Sequence, residues 1–374
     1  MAPRPVLGEQ VYYQPGKGLV AESADGDFAL KLRVRTQLLY TWVHDGPSGN
    51  DAQSFQLRRS RVVFEGNLFG EHNEYKVELA VAPRDMSADP DVGPTLTPIL
   101  DTYFNFTHLR DLQVRVGQYK VPFSRERVIS SGDLEFVDRS ITNAEFTVDR
   151  DIGLELFSDD LLGLDKLRYH AGVYMGAGRD AFQLDDFDMM YLARLEYLPF
   201  GMFADYKQGD FERLLAPRLS IGAGYAYLDA ATGTRGILGD PPADGGTTDY
   251  HVATADAVFM YGGLSVTGRG FYRKGERNVP AGETPDPAFA RNGFGLSGQV
   301  AYLIPRLPLQ LGVRYSGIRG TGDTSLPDQN ELGAAVGWYF AHHVFKIQAD
   351  YFHLWNEELD QGEDRVRVQL QASI

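Results

Sequence analysis

The chain has 374 residues and a formal net charge of −15, with 51 Asp and Glu against 36 Lys and Arg, a balance that argues against a general nucleic-acid binder. It contains no cysteine, which excludes disulfide frameworks, cysteine-ligated zinc and cysteine nucleophiles and fits an oxidising compartment. No run approaches the roughly 18 apolar residues of a membrane-spanning helix.

The opening MAPRPVLGEQVYYQ lacks the apolar core of a secretory signal, so the chain either stays in the cytoplasm or is a mature form. Residues 1–27 read as a separate N-terminal segment with a short hairpin, and residues 28–374 as one domain. From Phe28 to Trp42 the sequence FALKLRVRTQLLYTW alternates: Leu30, Leu32, Val34, Leu38, Tyr40 and Trp42 share one face, and Lys31, Arg33, Arg35, Gln37 and Thr41 the other. That is the period of a strand, and it recurs in YKVELAV (75–81), PLQLGVRYSG (308–317), VFKIQADYF (344–352) and RVRVQLQASI (365–374). Between strands the breaks alternate short and long. Short breaks fall near 69–73, 109–111, 261–263, 304–308 and 341–343; long ones near 44–54, 84–98, 119–149, 176–188, 229–248, 274–292, 319–329 and 356–363. One nominally short connection, 199–217, is longer than the others and spoils the rule.

About sixteen strands joined in this way describe an antiparallel up-and-down barrel. Two stacked soluble β-domains are the rival, but no linker divides the chain. A barrel of that size leaves a lumen that side chains cannot fill. The polar face is therefore expected to line a water-filled interior and the apolar face to meet lipid. Tyr40, Trp42, Tyr225, Tyr227, Tyr302, Trp338 and Phe340 fall near segment ends on the apolar face, as interfacial girdles do. By alternation the inward face is net basic, and the excess acid falls largely in loops such as DAFQLDDFD (180–188) and EELDQGED (357–364).

Cations also gather in VGQYKVPFSRERV (116–128), where a strand breaks at Pro122. VGQYKVPFS, then LEFVDRS (134–140), then DRDIGLEL (149–156) resemble, in order and spacing, the signature of the phosphate-selective porin O and P family. The stretches GLVAESADGDFALKLRVRTQ, FQLRRSRVVFEGNLFG and NELGAAVGWYFAHHVFKIQADY extend the likeness over nearly the whole chain. The resemblance implies an all-β, sixteen-stranded transmembrane barrel of the bacterial outer membrane, usually trimeric. Its third long loop, here 119–149, would fold into the lumen as a constriction. It implies an anion pathway in which Lys120, Arg125, Arg127 and Arg139, with Arg150 at the loop exit, join a wall ladder of Arg33, Arg35, Arg59, Arg61 and Arg115. The implied partners are small anions such as phosphate, membrane lipid, lipopolysaccharide and two further copies of the chain.

The residues weigh against an enzyme. GFGLSG (293–298) fits a dinucleotide fingerprint but lies inside an alternating strand, where its glycines Gly293, Gly295 and Gly298 are expected to face inward. His170, Ser60, Ser220 and Ser297 lie on strands with no GxSxG elbow. EELDQGED does not match a calcium-binding EF-hand loop, and His342 and His343 share a tight turn. No catalytic residue, cofactor or metal is therefore expected. A structural or adhesive barrel whose acidic loops bind surface partners or divalent cations is the alternative function.

Overall fold

The computed structural model describes residues 10–86, 88–89, 93–94, 98–179, 188–279, 282, 284–356 and 361–374. Among these, sixteen strands form the barrel wall. They are β1 (Phe28–Asp45), β2 (Asn50–Leu68), β3 (Asn73–Ala80), β4 (Ile99–Phe106) and β5 (Gln113–Lys120). There follow β6 (Arg150–Ser158), β7 (Leu167–Tyr174), β8 (Met190–Tyr197), β9 (Arg218–Ala231), β10 (Thr247–Tyr261) and β11 (Leu264–Asn278). The last are β12 (Gly293–Leu303), β13 (Leu309–Gly320), β14 (Gln329–Ala341), β15 (Phe345–Asn356) and β16 (Gln361–Ser373). Each pairs antiparallel with the next, and β16 pairs with β1 from Glu363↔Asp45 to Ser373↔Arg35, which closes the sheet. Closure leaves no unpaired edge around the ring. A short hairpin, Gln10–Gln14 with Gly18–Glu22, extends the sheet along Ala29–Leu32 of β1.

The barrel is inside-out relative to a soluble protein. On β8, Met190, Leu192, Arg194 and Glu196 are buried while Tyr191, Ala193, Leu195 and Tyr197 are exposed. The same rule leaves Leu296, Val313 and Leu332 on the outer surface and buries Gln299, Arg314 and Glu331. Backbone groups are satisfied between strands, so such a wall can stand in hydrocarbon.

Three expectations need correction. The break at 44–54 is a four-residue turn, 46–49, because the polar stretch on either side still pairs as strand from Trp42↔Gln53 to Asp45↔Asn50. A backbone ladder forms regardless of side-chain polarity, so composition overstated the loop. Gly298 is exposed on the outer face; of the motif's three glycines only Gly293 and Gly295 are buried. Finally, part of the interior is apolar and filled rather than wet. Val121, Phe123, Phe146 and Val148 pack with inward residues of β7 to β11 and β13, including Tyr174, Met190, Leu192, Leu228, Tyr250, Phe271 and Ile318. Most of the acidic loop stretches singled out above, residues 180–187 and 357–360, lie outside the described residues.

Candidate functional site

The segment joining β5 to β6 begins where Pro122, which has no N–H to donate, ends the ladder. It carries two short helices, α1 (Arg125–Val128) and α2 (Ile141–Phe146). Ser140 caps α2: its hydroxyl accepts from the Asn143 N–H at 3.2 Å and donates to Glu126 at 2.7 Å. Phe123 and Phe146 flank Phe271 at 6.4 and 6.0 Å, and a Cβ on Gly295 would lie 2.7 Å from the Phe146 ring, so that glycine makes the seat for α2. Polar contacts reach the buried faces of many strands. Gln348 donates to the Leu134 and Glu135 carbonyls at 3.0 and 2.8 Å, Gln371 to the Gly132 carbonyl at 3.0 Å, and Gln37 to the Ser131 carbonyl at 3.1 Å. The Val137 N–H donates to Asp350 at 3.0 Å, and Arg314 to the Asp138 carbonyl at 2.9 Å.

The ten candidate cations have three kinds of surroundings. Arg125 is 2% exposed and bound by carboxylates: Asp256 at 2.6 Å, Glu196 at 3.2 Å, and Asp205. It also donates to Ser220 at 2.9 Å and stacks its cation 4.9 Å from the Tyr206 ring centre. Six others are also paired; Arg59, Arg61 and Arg150 among them are buried, and Arg33, Arg115 and Arg127 are half-buried. Arg33 meets Glu65 at 2.7 Å, Arg59 meets Asp138 at 3.1 Å, and Arg61 meets Glu78 at 2.9 Å and Asp85 at 3.0 Å. Arg115 meets Glu155 at 3.5 Å, Arg127 donates to Asp149 at 2.6 Å, and Arg150 meets Asp101 at 2.6 Å.

The remaining three, among the described residues, have no carboxylate within ion-pair distance. Arg35 donates to the Ser130 and Ser131 hydroxyls at 2.6 and 3.0 Å, passing over Gly132, where a Cβ would come within 2.2 Å of its guanidinium. Lys120 donates to the Val128 and Ile129 carbonyls at 3.1 and 3.3 Å. Arg139 donates to the Glu126 and Ile129 carbonyls at 2.8 and 2.6 Å. Burial, and then the neighbouring Arg127 and Arg59, lower the pKa of Arg139. The guanidinium stays charged at neutral pH, and its depressed proton affinity reflects burial first and the positive charge of its arginine neighbours second. Asp138 shows the complement: burial would raise it, but Arg59 and Arg58 hold it well below the ordinary carboxylate range.

Two cavities order these residues. One, of about 430 Å³, has eight Arg or Lys among its fourteen lining residues and only two acids, Asp85 and Asp149. The other, of about 800 Å³, is lined by Arg33, Arg35, Lys76 and Arg115 on the β1–β5 wall and by residues of 204–212 on the other side. Arg61 and Lys120 line both, and nine of the ten candidates line one or the other; Arg125 lines neither. Sequence reasoning missed Arg58. A bulge in β2 opposite Gln37 and Leu38 breaks the alternation there, so that Arg58 meets Asp138 at 2.9 Å beside Arg59. Two adjacent arginines inside a strand were the available signal.

A closed barrel of sixteen strands, apolar outside and charged inside, with basic cavities meeting at shared side chains, has the form of an outer-membrane channel. Residues 30–372 match the family Phosphate-selective porin O and P, and the chain belongs to that family, which places it in the bacterial outer membrane. A search of the curated proteins gave no match. Solved structures of the same fold include Salmonella typhi OmpF in complex with daunomycin (12% identity, 94% of this chain and 100% of that one, TM-score 0.62). They also include an anion-selective porin from Comamonas acidovorans (11%, 92% and 99%, TM-score 0.60). A third is Vibrio cholerae OmpT, folded in vitro, in trimer form (12%, 91% and 99%, TM-score 0.54).

Proposed function

We propose that the chain is a passive anion-preferring pore, with segment 121–149 as its constriction. The observation that carries this reading is the pair of cavities meeting at Arg61 and Lys120, where Lys120, and Arg35 and Arg139 in one cavity each, have no carboxylate partner among the described residues. A cation-lined constriction lowers the energy of an entering anion and raises that of a cation. Arginine adds a fixed fork of donors matched to phosphate or carboxylate. Nine residues then form the path: Arg59, Arg127, Arg139 and Arg150 at the smaller cavity, Arg61 and Lys120 at the junction, and Arg33, Arg35 and Arg115 beyond it. Most are partly neutralised by acids, which suits transport, because moderate binding at several places lets an ion leave again. The copies assemble as trimers in this reading, as the OmpT structure does, with the exposed leucines, valines and tyrosines of the remaining wall against lipid.

The test is substitution of the unpaired cations in reconstituted bilayers. Arg35→Gln with Lys120→Gln is expected to lower the anion-to-cation permeability ratio several-fold while conductance persists; an unchanged ratio would remove these residues from the path. Millimolar phosphate is expected to reduce the chloride current, and absence of block would confine the preference to charge alone.

A further inference from the structure

The connection between β8 and β9, residues 198–217, breaks the rule of short turns at its end of the barrel. It is folded against buried, inward side chains of strands far apart around the ring. Asp205 pairs with Arg168 of β7 at 3.0 Å, and Tyr206 donates to Glu196 of β8 at 2.5 Å. Gln299 of β12 donates to the Gln208 side-chain oxygen at 3.3 Å. Phe211 sits in an aromatic box, 4.9 Å from Tyr339 of β14, 4.9 Å from His342 and 5.0 Å from His343. Asp210 accepts from the Gly263 N–H at 2.7 Å and pairs with Arg218. The chain therefore runs from β7 to β14 rather than turning directly into β9.

It also interlocks with segment 121–149. The Gln208 N–H donates to the Asp133 carbonyl at 3.0 Å, its side-chain oxygen accepts from the Glu135 N–H at 2.8 Å, and Asp205 binds Arg125. His343 donates from Nε2 to the Gln208 carbonyl at 2.7 Å. Six residues of the connection, among them Ala204, Lys207 and Glu212, line the larger cavity opposite Arg33, Arg35 and Arg115.

We infer that 198–217 is a second constriction element, which enters from the short-turn end and sets the width and charge of the pore exit. The inference rests on the reading of the chain as a pore. It assigns Ala204 and Glu212 to the exit wall, and makes the open path eccentric, confined to the β1–β5 side. Glu212 and Asp133 then put acidic groups opposite the basic ladder where an anion departs.

The native chain has no cysteine, so single cysteines can be addressed cleanly. Ala204→Cys and Glu212→Cys are made separately, with Leu215→Cys, 80% exposed in the same connection and outside the cavity lining, as the control. Each is treated in planar bilayers with a bulky anionic methanethiosulfonate, and labelling is verified by mass. The expected result is at least a twofold fall in current for Ala204→Cys and Glu212→Cys and none for Leu215→Cys. Fully labelled Ala204→Cys and Glu212→Cys channels with unchanged current would overturn the assignment. The reversal potential of the same channels reports separately on anion preference. A cation-selective pore that is still blocked would overturn the proposed selectivity and leave this element in place.

Discussion

Arg125 and Lys120, neighbours along the chain, have opposite surroundings. Arg125 is bound by Asp256, Glu196 and Asp205 and buried; Lys120, among the described residues, donates to carbonyl oxygens alone, at the junction of two cavities. Breaking a buried ion pair leaves uncompensated charge. Arg125→Gln is therefore expected to destabilise the folded barrel by about 3 kcal/mol or more, read by denaturant unfolding, with little change in ion selectivity. A selectivity change as large as that from Lys120→Gln would contradict the division. His343 supplies a pH dependence. Burial, and then the Lys346 ammonium 3.0 Å away, hold its pKa well below the usual imidazole value. Because the folded state disfavours the proton, its contribution is complete above the unfolded value of about 6.5 and is lost progressively as pH falls below that. Glu135, raised by burial, acts in the opposite sense, so the comparison must isolate His343. Stability should drop more from pH 7 to pH 5 in the native chain than in His343→Gln; equal drops would exclude the imidazole. None of these pairings was legible in the sequence. Arg125 and Arg127 looked alike in SRER, because their partners lie across the barrel at Asp256 and on the far end of the segment at Asp149.

At the scale of elements, the strands were legible and the connections much less so. Alternation identifies a strand because each wall residue faces one of two solvents, and β8 keeps that rule along its whole length. The rule fails at Arg58, where a bulge adds one residue, and on either side of the turn 46–49, where polar strand residues imitate a loop. It says nothing about 198–217, whose position depends on Phe211, Asp205 and Gln208 finding partners on several strands at once. Pro122 did mark the exit of the long segment, since a missing N–H acts locally. The outer face offers an element-scale test. Leu195, 55% exposed, stands on β8 beside Tyr169 and Ala223. Leu195→Arg should cost about 2–4 kcal/mol if this position lies near the bilayer midplane, measured by unfolding from lipid vesicles. A neutral effect would mean that the face does not contact hydrocarbon.

At the scale of the molecule, the interior is divided. On the β7–β13 side, Phe123, Phe146 and Phe271 form an apolar core within the barrel, and Glu135 accepts hydrogen bonds from Gln299 at 2.7 Å and Gln310 at 2.8 Å. On the β1–β5 side, cations line the two cavities. In the proposed reading an acidic chain, at −15 overall, holds a basic path because the charges that matter are those around the junction of the cavities, where Arg35, Lys120 and Arg139 have no carboxylate partner among the described residues. Low dielectric walls focus that field. The proposed preference is one of sign, and the zero-current potential across a planar bilayer in a potassium chloride gradient measures it directly. An anion-preferring pore gives a potential whose sign shows chloride more permeant than potassium; the opposite sign, showing potassium preferred, would exclude an anion-preferring pore.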